Sequence, residues 1–164
     1  MRVPHILLLA IALLGAISAP CRADDSVVGT WRLVSFKSRA TDGTMRDLYG
    51  PRPAGQLIYD GAGHMSVHLL KPDLPKCATL DRRKCPDRVA REVFDNYFGY
   101  WGHYQVDVST STVTHHIEGA SVPDWANTSQ ERHFKLERNL LTLTTPTMQV
   151  AGVDTVQILV WERQ

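Results

Sequence analysis

Charge of one sign is what this sequence most lacks. Its 18 Lys and Arg stand against 17 Asp and Glu, so no basic field exists to gather nucleic acid or an anionic membrane surface. Long apolar runs are missing too. The longest, residues 6–17, falls short of the roughly 20 apolar residues that a membrane-spanning helix requires. No Gly-rich phosphate loop, nucleophile motif or carboxylate pair is present, which removes the usual sequence grounds for phosphoryl transfer, triad hydrolysis or two-carboxylate chemistry. Cysteine is scarce, with three in 164 residues. No internal repeat or low-complexity tract appears, and the length fits one domain with a sizeable core.

What is present begins with an export pattern. Arg2 supplies a positive start, residues 6–17 form the apolar run, and Cys21-Arg22-Ala23 offers small residues where a signal peptidase reads. The expectation is a secretory signal at 1–23, cleaved after Ala23, and a domain at 24–164 that is periplasmic or secreted. Lipidation of Cys21 is the alternative, opposed by Pro20 just before it. Removing 1–23 leaves 16 basic residues against 17 acidic. It also leaves Cys77 and Cys85 as a pair in a disulfide-permissive chain. A disulfide is expected there; two free buried thiols are the alternative, disfavoured by the charged neighbours Lys76, Asp81, Arg82, Arg83 and Lys84.

The remainder reads as short strands separated by turn signals. Alternation and β-forming residues place strands near 29–38, 45–48, 56–59, 65–70, 101–108, 112–120, 130–137, 140–144 and 155–163. Asp60-Gly61-Ala62-Gly63 and Arg138-Asn139 mark tight turns. One amphipathic helix follows Pro86, with Asp87 as its expected N-cap, Val89, Val93, Phe94 and Tyr97 at helical spacing, and Gly99 as its stop. About nine strands in sequential order suggest an antiparallel meander, and closure into a barrel removes its open edges.

An ordered set of motifs carries a family resemblance. Gly29-Thr30-Trp31 resembles the G-x-W signature of the lipocalin superfamily. Tyr49-Gly50-Pro51, Leu57-Ile58-Tyr59, Gly63-His64-Met65-Ser66, Tyr97-Phe98-Gly99 and Tyr104-Gln105-Val106-Asp107 resemble the bacterial and fungal lipocalin-like domain proteins. So do Val113 to Gly119, Pro123-x-Trp125, Arg132-x-Phe134 and Leu159 to Arg163. The resemblance spans about 28–163. It implies an all-β, antiparallel lipocalin-like (calycin) barrel with a cavity for a small apolar molecule. The chain departs from typical secreted lipocalins in its mid-chain helix and in having both remaining cysteines in one loop.

Candidate site residues follow from strand register. If Val106 opposes Val113, then Tyr104 opposes His115 and Gly102 opposes Ile117. The apolar face turns inward, taking Tyr104 and His115 with it and leaving His103 and His116 outside. Arg132, Phe134 and Leu136 share the inward face of the next strand. The leading expectation is non-catalytic binding of a small apolar or amphipathic molecule. His115, Tyr104 and Arg132 would orient its polar end, while Phe134, Met65, Val67, Tyr59 and Phe94 would line the pocket; a buried Arg suits a carboxylate or phenol. An internal Arg132 paired with Glu118 or Glu131 is the structural alternative. A second function is a cofactor-free isomerase or cyclase with His115 as base and Tyr104 as acid; a third is a partner-binding barrel with a filled interior. No cofactor is expected. No metal is expected either, because adjacent His115 and His116 point to opposite faces of a strand. Trp31, Trp161 and Phe36 read as core, and Trp125 as packing on the rim or lining an entrance.

Overall fold

The structure, a computed structural model, describes residues 26–150 and 152–164. The expected signal sequence and Cys21 lie outside these residues. Ten strands are present: β1 (Gly29–Ala40), β2 (Met45–Asp47), β3 (Ala54–Tyr59), β4 (His64–Leu70), β5 (Tyr97–Asp107), β6 (Thr112–Ala120), β7 (Ser129–Glu137), β8 (Leu140–Thr144), β9 (Met148–Val150) and β10 (Val153–Arg163). Helix α1 covers Asp87–Asp95. The sheet order is β2-β1-β3-β4-β5-β6-β7-β8-β10-β9, and β1 also pairs with β10. Eight strands therefore close an antiparallel barrel, while β2 and β9 extend the edges of β1 and β10. The short β9 is not among the strands expected from the sequence.

Closure depends on the pairing of β1 with β10. On β1, Trp31 opposes Arg163, Leu33 opposes Trp161, and Phe36 opposes Leu159 of β10. The register shifts between Leu33 and Ser35, so Val34 is the extra, bulged residue. Simple alternation from Trp31 and Leu33 puts Phe36 on the opposite face. The bulge reverses that parity: Phe36 is buried with Trp31 and Leu33, while Val34 is exposed.

One end of the barrel is sealed by Trp31. Its indole Nε1 donates to the Val27 carbonyl at 2.9 Å, and the Arg163 guanidinium lies 4.2 Å from its ring centroid. Arg163 also donates to the Val28 and Ser26 carbonyls at 2.7 and 2.8 Å. Above this seal lies a packed layer that includes Leu33, Tyr59, Met65, Val113 and Leu141, all buried.

The helix differs from expectation at both ends. Pro86 is its N-cap, without a side-chain capping bond, and Asp87 occupies the first helical position, where its carboxylate still faces the positive end of the helix dipole. The helix stops at Asp95, and the Asn96 side chain donates to the Glu92 carbonyl at 2.9 Å. The aromatic run from Tyr97 enters β5 directly, placing Gly99 inside a strand. Val89 is the one buried residue of α1. Two i,i+4 ion pairs, Arg88–Glu92 and Arg91–Asp95, run along its exposed side. The loop before the helix carries the Cys77–Cys85 disulfide.

Candidate functional site

A cavity of about 380 Å³ opens at the end of the barrel away from the Trp31 seal. Its lining shows how depth is set. Phe36 lines it but Trp31 and Leu33 do not; Leu57 does but Tyr59 does not; Val67 and Leu69 do but Met65 does not. Phe98 and Tyr100 precede Tyr104 on β5, and only the first two reach the cavity. Antiparallel strands thus each contribute one end to the cavity and the other to the packed layer. Phe94 of α1 and Trp125 of the connection after β6 stand at the mouth.

The β5–β6 hairpin has the expected pairing: Tyr104 opposes His115, Val106 opposes Val113, Gly102 opposes Ile117, and His103 opposes His116. Beyond Gly102 the register shifts, so Trp101 faces Gly119 and Tyr100 faces Ala120. Gly102 is required at this bulge, since a Cβ there would lie 2.0 Å from the His116 carbonyl oxygen.

His115 is almost wholly buried. Its Nε2 lies 2.5 Å from the Tyr59 hydroxyl and its Nδ1 lies 2.8 Å from the Tyr100 hydroxyl. Burial, reinforced by the Arg132 and His116 charges, lowers its pKa to about 3, so it is neutral at pH 7 and has one donor and one acceptor nitrogen. Arg132 is also buried, and its Nη1 donates to the Glu131 carbonyl at 2.7 Å. Its positive charge opposes the upward push that burial gives the Tyr100 phenol. A neutral imidazole donates through one nitrogen and accepts through the other, so one of the two phenols donates to His115 and the other accepts from it.

The sequence-expected residues fall into two groups. His115, Arg132, Val67 and Phe94 line the cavity. Tyr104, Phe134, Met65 and Tyr59 do not. All four of the latter were expected at the pocket, but they occupy the packed layer one step nearer the sealed end. Tyr59 still reaches the site through its hydroxyl. Tyr104 does not: its hydroxyl donates to the Asp60 carbonyl at 2.7 Å, and its ring packs 4.6 Å from that of Tyr59. The expected acid–base pairing of Tyr104 with His115 is therefore not assembled, and both His115 nitrogens are occupied by other tyrosines. The alternative pairing of Arg132 with Glu118 or Glu131 is also not seen, for Glu118 binds His103 at 2.5 Å and Glu131 offers only its carbonyl.

Tyr100 was legible in principle, being two residues before Gly102 on the same face. Trp125 was less so. It reaches the cavity because the 3-10 turn Pro123–Trp125 folds the connection back over the mouth. Its ring centroid lies 4.7 Å from Phe98 and 5.8 Å from Tyr100. On the outer surface, His116 bonds to Ser129 at 2.9 Å, His64 to Asp60 at 2.9 Å, and His68 to the Tyr97 hydroxyl at 2.8 Å.

Comparison with known proteins follows the same outline. Residues 28–164 match the lipocalin-like domain family. A relative, the 4'-hydroxy-3'-methoxypropiophenone carrier protein ppsC of Aspergillus oryzae, is 26% identical over 106 residues, covering 60% of this chain and 96% of that protein.

Proposed function

This chain belongs to the lipocalin-like domain family, and from that premise we propose that it is a non-catalytic carrier of a small, mostly apolar molecule held inside its barrel. The observation that carries this reading is the cavity itself. It has about 380 Å³ of space, within the roughly 300–1,000 Å³ typical of small-molecule sites, and its largely apolar wall carries a polar cluster at Arg132, Tyr100 and His115. That is the arrangement that buries an apolar body and orients one polar end. The relative's printed name, a carrier of an aromatic ketone, supports the same class of function.

Exported placement, periplasmic or secreted, is part of the proposal. The Cys77–Cys85 disulfide fits an oxidising compartment. Among the described residues no helix is long and apolar enough to cross a membrane.

Binding of the neutral fluorophore aminoanthracene tests the reading. Saturable binding, with loss in Val67→Phe, is expected, because the larger side chain enters the cavity from a position that already lines it. Absence of binding to the wild-type barrel, or equal binding by the filled variant, contradicts it.

A further inference from the structure

Resting on the carrier reading, we infer that the ligand is an aromatic monoanion whose oxygen group docks on Arg132. Arg132 is 8% exposed, and its side chain lines the cavity. Among the described residues no carboxylate forms an ion pair with it. Asp95, the acid that lines the cavity, is bonded to Arg91 at 2.8 Å. A guanidinium carries five N–H donors in a planar fork. Here the Glu131 carbonyl accepts from Nη1, and that acceptor is neutral. The cation is thus desolvated, hydrogen-bonded in part and uncompensated in charge, a state that an incoming anion relieves.

The neighbouring polar groups sharpen the choice. The Tyr100 hydroxyl is hydrogen-bonded to His115 Nδ1, and His115 is neutral. Neither brings a negative charge to balance Arg132. The spot therefore selects an acceptor group bearing charge over a cation, an amine or a plain hydrocarbon.

The body of the ligand is read from the wall beside that spot. Phe98, Tyr100 and Trp125 form three mutual ring contacts, with centroids 4.7, 5.5 and 5.8 Å apart. Phe36 and Tyr49 add an edge-to-face pair at 5.2 Å. Ring faces and edges arranged this way favour a flat aromatic body. The volume limits that body to a small ring system with a short substituent.

Competition against bound aminoanthracene by cinnamate and by cinnamamide tests this. The two probes match in shape and differ in charge. Cinnamate is expected to compete about tenfold better or more, the scale of a charge-assisted hydrogen bond. In Arg132→Met that preference falls to about unity, while cinnamamide still competes, which shows that the barrel is intact. Hexanoate, an aliphatic acid, is expected to compete more weakly than cinnamate. Should Arg132→Met fail to fold, the wild-type ratio decides. Equal competition by acid and amide overturns the anion assignment, and hexanoate matching cinnamate overturns the aromatic one. Fluorophore binding with no displacement by cinnamate also overturns the inference and leaves the carrier reading standing. Failure of the fluorophore to bind at all removes both.

Discussion

The Tyr100 hydroxyl lies 2.8 Å from His115 Nδ1, and that contact ties a buried phenol to a buried neutral imidazole. Tyr100 comes from β5 and His115 from β6, yet they are not cross-strand partners. Tyr100 reaches His115 along the inward face, past a position held by Gly102. The polar spot of the cavity is therefore a product of the hairpin's irregularity as much as of its regular pairing.

Acid should weaken the fold through His115. Its folded pKa is depressed to about 3, below the ordinary value of about 6.5. The unfolded chain therefore binds a proton that the folded chain refuses between these values, and stability falls as pH drops through that window. The slope from this group approaches about 1.4 kcal/mol per pH unit below the ordinary pKa. Urea unfolding of wild type and His115→Gln at pH 6.5 and 5 measures it; the wild type should lose more stability between the two pH values than the variant. Asp42, Asp60 and Asp107, whose pKa values are lowered by hydrogen bonds, act in the same direction, but only as pH approaches the carboxylate range.

Two tyrosines should separate binding from stability. Tyr104→Phe removes the bond to the Asp60 carbonyl and should cost about 1 kcal/mol of stability, with ligand affinity unchanged. Tyr100→Phe removes the hydroxyl that binds His115 on the cavity wall and should weaken binding of an acidic ligand. Paired denaturation and competition curves check both halves.

Gly102→Ala should destabilise the barrel by about 1–3 kcal/mol, the range for overpacked interiors. The added Cβ would meet backbone, the His116 carbonyl oxygen at 2.0 Å, which cannot turn aside as a flexible side chain can. A fall in the urea midpoint at an unchanged m-value is the expected result.

Replacing both Cys77 and Cys85 with Ser should cost about 2–3 kcal/mol by chain entropy, since the bridge closes a loop of sequence separation 8. The barrel's strands do not depend on it. Far-ultraviolet circular dichroism should stay unchanged while the thermal midpoint falls.

Much of this was visible in the sequence because strand alternation is a local property. It placed His115 and Arg132 inward, His116 outward, and Tyr104 opposite His115. Alternation cannot report depth along the barrel axis. Tyr104, Met65 and Phe134 accordingly shared the right face with the site residues and sat in the wrong layer. It also fails at bulges, as with Phe36, where the extra residue Val34 reverses the face. Trp125 belongs to a connection, and its place at the mouth is set by how that connection folds back, which no periodicity encodes.

Native mass spectrometry of the protein purified from its own source tests the central claim most directly. A single small organic molecule, retained one per barrel, acidic and aromatic on release, and absent from Val67→Phe, is the predicted result. A bare protein mass from wild type and variant alike, under conditions that preserve the folded barrel, contradicts the account.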